Sequence, residues 1–237
     1  MEALIQAGLA HLGQTGRVPE DAPALLTRYG AMLLEKNQVM NLTAITQPRD
    51  VATLHMLDCA ALLNCANFSG KTLVDVGTGA GFPGMALKIL VPSLRVTLLD
   101  SLNKRLDWLD EVGEALGLEG PETVHARAEE AGQDPALRER FDFAAARAVA
   151  DLRLLCELCL PFVKVGGRFL AMKGPDSDGE INAALPAIRL LGGEIAERFD
   201  YTVPHTQVTH RVVVVEKITF TPEKYPRRWA KMQKAPL

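Results

Sequence analysis

The residues of this chain that are best suited to chemistry form one short segment, residues 75–84, with the sequence DVGTGAGFPG. It follows an apolar run at 72–74 and precedes apolar residues at helical spacing from 85 to 90. This order predicts a strand, a glycine-rich turn and a helix. Glycines allow positive φ angles and let a ligand come close to the main chain. The segment therefore predicts a small-molecule binding site at the end of a strand.

Asp75 indicates which ligand suits this turn. It lies two residues before Gly77, so it puts a carboxylate at the tip of the predicted strand. A carboxylate attracts an ammonium or hydroxyl group and repels a bare phosphate. S-adenosylmethionine, with an amino acid at one end and a ribose at the other, fits this description. Two alternatives stay open: residues 79–84 also match the dinucleotide fingerprint G-x-G-x-x-G, which is weak alone, and the turn could be structural without a ligand.

The elements that position this turn alternate between strand and helix patterns. Strands are predicted at 72–76, 95–100, 122–126, 141–147 and 167–172, and helices after 84, near 103–116, at 151–159 and at 178–191. Repeated units of this kind build a parallel sheet with helices on both faces. Two last strand patterns, 194–203 and 211–218, are joined by a loop too short for a crossover, so they should be antiparallel. The expected fold is α/β, a Rossmann-like sheet with an antiparallel C-terminal hairpin, which resembles the class I methyltransferases.

The N-terminal part of the chain has a different pattern. Residues 1–66 are predicted to be helical, with helices at 24–34 and 50–63 and a loop at 37–45 between them. We therefore expect a helical extension at 1–70, a methyltransferase domain at 71–220 and a basic tail at 221–237.

Ligands of open α/β sheets bind at the carboxyl ends of the strands. The residues predicted at those ends are Asp75, Gly77, Gly79, Gly81 and Phe82, then Asp100, then Arg127, Ala128 and Glu129, then Arg147. Asp100 is expected to bond the ribose hydroxyls, with a helix cap as the alternative. Arg127, Ala128 and Glu129, after the third strand, are expected to contact the adenine edge. The alternative is that their charges are only part of the solvated surface.

The formal net charge of −3 over 237 residues excludes a globally basic nucleic-acid binder. The C-terminal end is locally basic, with one acid, Glu223, among Lys217, Lys224, Arg227, Arg228, Lys231 and Lys234. Such an end is either solvated or placed to meet phosphates.

Neither the start of the chain nor its cysteines indicate secretion. An early acid, Glu2, and the lack of a basic segment argue against a signal peptide, and no apolar run approaches membrane-span length. Cys156 and Cys159 form C-x-x-C on an apolar helix without a second pair, which favours buried free thiols over a metal or redox site. We expect a cytoplasmic protein.

Taken in order along the chain, the motifs resemble the bacterial small-subunit ribosomal RNA methyltransferase G family (glucose-inhibited division protein B). The matching segments are residues 41–45, 55–58, 75–84, 98–105, 147–148, 172–174 and 225–227. Cys59 departs from the family pattern, which more often has serine there.

The resemblance implies methylation of a guanine N7 in 16S ribosomal RNA with S-adenosylmethionine as cofactor. It places cofactor contacts on Gly77, Phe82, Ala128, Glu129 and Arg147. The implied partner is 16S ribosomal RNA or the small ribosomal subunit particle; no membrane, metal or oligomer is implied.

Guanine N7 has a lone pair and no proton, so its methylation needs no general base. Positioning can then supply about 7–11 kcal/mol of the barrier, and the predicted positioning groups are Arg147, Lys173 and Arg127. For Arg147 a carboxylate partner inside the fold is an equal alternative. His55 and Asp58, three residues apart on one helix, are expected to be a structural pair between the extension and the core, with substrate contact as the alternative.

Three other functions compete with this hypothesis. A nicotinamide-dependent oxidoreductase is disfavoured by Asp75, by the antiparallel ending and by the lack of an evident Tyr-Lys or His pair. A non-catalytic RNA-binding module is disfavoured by the intact glycine turn. A methyltransferase that acts on another RNA or on a protein is disfavoured by the resemblance alone.

Overall fold

The computed structural model of the chain describes residues 1–147 and 150–237. Its strands form a sheet in the order β3-β2-β1-β4-β5-β7-β6. Their bounds are β1 (Thr72–Val76), β2 (Arg95–Asp100), β3 (Glu122–His125), β4 (Phe141–Arg147), β5 (Val163–Lys173), β6 (Gly193–Thr202) and β7 (Thr209–Lys217). β1 to β5 pair in parallel, and β7 is antiparallel to both β5 and β6. The predicted sheet with its antiparallel hairpin is confirmed.

Helices precede the sheet and alternate with its strands. They are α1 (Glu2–His11), α2 (Ala22–Met40), α3 (Pro48–Asp50), the π-helix Val51–Leu57, α4 (Asp58–Ala60), α5 (Gly84–Leu90), α6 (Asn103–Leu116), α7 (Ala128–Ala131), α8 (Leu152–Cys159), α9 (Asp178–Leu190) and α10 (Trp229–Lys234), with short 3-10 turns at Ala61–Asn64 and Leu160–Phe162. Ala148, the last residue of one matching segment, lies outside the described residues.

Two predicted boundaries lie several residues away from the observed ones, and the others lie within two residues. The loop predicted from residue 37 begins only after Met40, because the Asn37 side chain accepts hydrogen bonds from the amides of Leu42 and Thr43 and so orders the turn from inside the helix. β5 begins at Val163 instead of 167, because Val163 already pairs with Phe141 of β4, before a register shift and regular pairing from Arg168 onward. Gly167 allows the close approach of β4 there, since a Cβ on it would lie 2.6 Å from the Asp142 carbonyl oxygen.

The sheet separates two cores, since alternate residues of each strand point to opposite faces. Phe143 and Val214 pack with the N-terminal helices, α5 and α6, whereas Ala144 and Val215 pack with α8 and α9. The first core is continuous from Ile5 through the sheet. The helical extension thus covers one face of the sheet, and its status as a separate domain stays a prediction.

In residues 1–147 and 150–237, no helix has the length and apolar character that a membrane span requires. The thiols of Cys156 and Cys159 are free and buried, as predicted.

Candidate functional site

A crevice of about 480 Å³ opens at the carboxyl ends of the parallel strands. This volume is in the range of small-molecule sites. The predicted residues that line it are Gly77, Gly79, Phe82, Asp100, Arg127, Ala128, Glu129 and Arg147. The structure thus brings together most of the predicted site, although its parts come from four separate strand ends.

The glycine turn forms one wall of the crevice. Gly77 and Gly79 have φ angles of 70° and 57°, in the left-handed region that favours glycine. The Gly77 amide donates to the Leu99 carbonyl at 2.8 Å, and the Gly79 amide donates to Asp100 Oδ2 at 3.0 Å. A Cβ on Gly79 would have a single near neighbour, the Gly77 carbonyl oxygen at 3.8 Å, so this glycine borders open space. The turn therefore presents bare main chain to the crevice.

Gly81 and Gly84, unlike Gly79, are required for packing behind the turn. Neither lines the crevice. A Cβ on Gly81 would clash with the hydroxyl of Tyr29, which donates to the Ala80 carbonyl, and a Cβ on Gly84 would lie 2.7 Å from Leu98. Both glycines allow close packing behind the turn. The predicted contact of Gly81 with a ligand stays a prediction.

Asp75 is fully buried beneath the turn and does not line the crevice. Its Oδ2 accepts from Thr78 Oγ1 at 2.7 Å and from the Gly84 amide at 2.8 Å. Burial raises the pKa of this carboxyl to about 6, against the opposing effect of these hydrogen bonds. Oδ1 has no partner among the described residues. A buried carboxyl behind the turn favours a positive group in the crevice over a phosphate, and the predicted direct contact of Asp75 with a ligand stays a prediction.

Both carboxylate oxygens of Asp100 accept hydrogen bonds within the protein. Its Oδ1 accepts from the amide of Leu102, the residue before α6, at 2.9 Å, and its Oδ2 accepts from Gly79 and from Arg105 Nη1 at 3.3 Å. This helix has no side-chain cap, so the cap alternative was wrong, and the ribose contact stays a prediction. A carboxylate offers about four acceptor positions. Because Asp100 lines the crevice with three of these in use, one remains for a ligand hydroxyl.

Arg147 extends from the end of β4 into the crevice, where its guanidinium carbon lies 5.0 Å from the centre of the Phe82 ring. Nη1 donates to the Leu54 carbonyl at 3.1 Å and to Asp58 Oδ2 at 3.3 Å, and Nη2 donates to His55 Nδ1 at 2.8 Å. The structure therefore gives Arg147 both an internal carboxylate partner and a place in the crevice wall.

His55 also lines the crevice, although the sequence favoured a structural pair with Asp58 over contact with a substrate. Since Arg147 can only donate, His55 Nδ1 accepts and its Nε2–H donates to Thr43 Oγ1 at 2.9 Å. Burial and the Arg147 charge lower the pKa of His55 to about 3, so the ring is neutral. It stacks on Phe82 with 4.5 Å between ring centres. His55 lies in the π-helix, a form that often marks functional positions.

The structure places Lys173 outside the crevice lining. Its ammonium donates to the Ala150 carbonyl at 2.7 Å and to Glu180 Oε1 at 2.6 Å. This gives Lys173 a structural partner, and its contact with a substrate stays a prediction. Trp229, on α10, lines the crevice and was missed, because the C-terminal end was interpreted through its charges alone.

Two cations counted in the basic C-terminal end are structural. Lys217 is fully buried and donates to the carbonyls of Leu160 and Val163, and burial lowers its pKa to about 8. Arg227 pairs with the fully buried Glu157 at 2.6 Å. Among the C-terminal cations, Lys224, Arg228 and Lys231 are exposed and share a groove with Glu129, which also lines the crevice.

Comparison with known proteins gives a consistent result. A family model described as rRNA small subunit methyltransferase G matches residues 23–202. The chain is 49% identical over 213 residues to the ribosomal RNA small subunit methyltransferase G of Alkaliphilus metalliredigens, covering 90% of this chain and 89% of that protein.

Solved structures share the fold at lower identity. TrmN from Thermus thermophilus has a TM-score of 0.52 and 24% identity, with 68% of this chain and 48% of that chain covered. TYW2 from M. jannaschii, solved in complex with AdoMet, has a TM-score of 0.53 and 15% identity, with 68% and 75% covered. These likenesses support the fold alone.

Proposed function

The chain belongs to the rRNA small subunit methyltransferase G family, and from this premise we propose that it transfers a methyl group from S-adenosylmethionine to N7 of a guanine in 16S ribosomal RNA. The observation that carries the proposal is the crevice: main-chain glycines, a ribose-type carboxylate and an arginine meet at the carboxyl ends of the strands.

The residues of the crevice fit this cofactor. Bare main chain at Gly77 and Gly79 allows close approach, and the free acceptor position of Asp100 suits a ribose hydroxyl. Ala128 and Glu129 line the side where an adenine edge would lie. The unused Oδ1 of Asp75 favours a positive group nearby. When bound, S-adenosylmethionine supplies a methyl group activated by a sulfonium.

Arg147 and Arg127 are proposed to position the guanine. A single hydrogen bond from an arginine to guanine O6 would hold the base and leave the N7 lone pair free to attack the methyl group. His55 is not placed to act as a base, because both of its ring nitrogens are engaged and its pKa is lowered to about 3. That state suits methylation at N7, where no proton has to be removed. Residues that hold the base in line are then the main source of catalysis.

Label transfer tests the proposed substrate. The enzyme is incubated with methyl-labelled S-adenosylmethionine and, in separate reactions, with small-subunit particles or naked 16S RNA from a strain that lacks the enzyme. We expect label in 16S RNA from one or both preparations, and their ratio identifies the substrate form. Label found only in 23S RNA or in ribosomal protein, added as parallel substrates, contradicts the proposal.

Salt dependence tests the role of the exposed cations beside the crevice. Replacing Lys224, Arg228 and Lys231 with glutamine should flatten the slope of log K for RNA against log salt by roughly 2 to 3, because each lost phosphate contact removes about 0.7–0.9. Fluorescence anisotropy with labelled RNA at several salt concentrations measures this slope. Substitution is preferable to deletion of the tail, because Tyr225 and Met232 belong to the core.

A matched control removes three exposed cations near the amino ends of β1 and β2, away from the crevice at the carboxyl ends: Arg17, Lys71 and Arg95. The control variant should keep the wild-type slope. Equal slopes for wild type, the C-terminal variant and the control variant would contradict a contact between the C-terminal cations and RNA phosphates.

A further inference from the structure

A continuous chain of contacts runs from the surface of the C-terminal hairpin to the crevice. His210, on β7, forms a hydrogen bond through Nδ1 with Asp58 Oδ1 at 2.7 Å. The other oxygen of Asp58 accepts from Arg147 Nη1 at 3.3 Å. Arg147 in turn lies over Phe82 in the crevice wall. A side chain of the hairpin is thus two contacts away from the crevice.

Asp58 is the junction of this chain. Its side chain is 2% exposed, and its Oδ1 accepts a second hydrogen bond from Tyr201 Oη at 2.7 Å. Its donors come from β4, β6 and β7, whereas Asp58 itself lies on α4 of the helical extension. The position of a buried carboxylate is determined by the groups that donate hydrogen bonds to it. Tyr201 and His210 of the hairpin therefore help to fix the position of Asp58, and through it that of the Arg147 guanidinium.

Among the residues of this series of contacts, His210 is exposed to solvent, with 31% of its side chain accessible. The charged and titratable groups that face it are Asp58 from α4, Tyr201 from β6 and Arg147 from β4. On its own strand, the neighbouring Arg211 is paired with Asp200 and Asp178. The hydrogen bond with Asp58 raises the pKa of His210 above its ordinary value, against the effects of burial and Arg147.

We propose that His210 is a positioning residue for the methyl-transfer reaction: its imidazolium form holds Asp58 in the place from which Asp58 fixes Arg147 in the crevice. This inference rests on the proposed function. An imidazolium adds the attraction of opposite charges to its hydrogen bond with the carboxylate. After deprotonation, the neutral ring keeps hydrogen on Nδ1 and still donates to Asp58, but this attraction is lost, so the contact weakens and Arg147 loses part of its support.

The sign of the pH dependence follows from the raised pKa. His210 in an unfolded chain titrates near 6.5, and below that pH it is charged in both states, so the stabilising contact is fully present. As the pH rises through the higher pKa of the folded protein, the contact weakens and stability falls. Enzyme activity that depends on the position of Arg147 should decline over the same range.

Three variants test the proposal. His210→Asn keeps a donor near the Nδ1 position without a charge, and His210→Ala removes the donor. His205→Asn is the control, because His205 lies exposed in the turn of the same hairpin with a φ of 63°, which asparagine tolerates. For each protein, kcat and KM for 16S RNA are measured between pH 6 and 9, and the Arg147 guanidinium and His210 imidazole resonances are followed by NMR.

In wild type and His205→Asn we expect kcat/KM to fall by roughly tenfold as His210 loses its proton, with the Arg147 resonance shifting at the same midpoint. In His210→Asn both quantities should be independent of pH across this range, and in His210→Ala activity should be low throughout. The inference is overturned if the Arg147 resonance does not shift when His210 titrates. It is also overturned if His210→Asn has the same pH profile as wild type. If wild type methylates no 16S RNA at any pH, the proposed function fails instead, and the NMR titration still shows whether the contact chain is coupled.

Discussion

Replacing Arg147 with alanine is expected to lower the free energy of unfolding by about 3 kcal/mol, because it removes one of the two cationic partners, Arg147 and His210, of the buried Asp58 carboxylate. Activity per folded molecule should fall as well. If Arg147 donates a charge-assisted hydrogen bond to the guanine, its loss corresponds to about a 10- to 150-fold decrease in kcat/KM. Urea denaturation measures the first effect, and steady-state kinetics under conditions where the variant is folded measures the second.

A variant at a second buried ion pair is the control that distinguishes an effect on stability from an effect on activity. Lys217 lies 3.2 Å from Glu139 and contacts the start of β5, at the end of the sheet opposite the crevice. Lys217→Ala should therefore destabilise the protein without changing kcat/KM of the folded fraction. If Arg147→Ala behaves in the same way, with full activity per folded molecule, Arg147 is a structural residue alone. Arg147→Lys should recover part of the stability but little activity, because lysine lacks the planar fork.

Replacing Gly79 with valine is expected to abolish measurable cofactor binding, with an affinity loss of at least about 100-fold. The side chain would project into the open space that borders the turn, where the main chain has a φ of 57°. It would fill the approach to the main chain and also strain the backbone by roughly 1–2 kcal/mol. Isothermal titration calorimetry with S-adenosylmethionine measures the affinity, and thermal denaturation measures the strain.

Gly70→Val is the matched control for this variant. Gly70 also has a left-handed φ, 68°, and a Cβ there would have no neighbour within 4 Å, but it precedes β1 at the opposite end of that strand. Both variants should lose similar stability, and only Gly79→Val should lose the cofactor. Unchanged affinity in Gly79→Val would mean that the ligand does not approach this turn.

The fold was largely predictable because its signals are local. β1, β2 and β4 have the predicted bounds, since each is a short apolar run with a clear break on either side. The start of β5 was not predictable, because Gly166 and Gly167 suggest a turn, whereas the pairing of Val163 with Phe141 before them depends on how β4 packs.

The site was predictable only for residues that belong to a local sequence motif or follow a strand end. Gly77 and Asp100 follow from strand ends, but the partners of Arg147 lie 89 and 92 residues away in the chain. Trp229 reaches the crevice from the opposite end of the sequence. Spacing cannot reveal such contacts, because they depend on how the extension and the hairpin pack on the sheet. For the same reason the charge of Lys217 was assigned to the surface, although it is buried.

The identity of the methylated nucleoside tests the central proposal most directly. Small-subunit particles from a strain without the enzyme are incubated with it and methyl-labelled S-adenosylmethionine, and the 16S RNA is digested to nucleosides for mass spectrometry. We predict a single labelled product, N7-methylguanosine, which is absent when Gly79→Val replaces the wild-type enzyme. Label in another nucleoside, or an equal yield from Gly79→Val, would contradict the assignment of the crevice and of its chemistry.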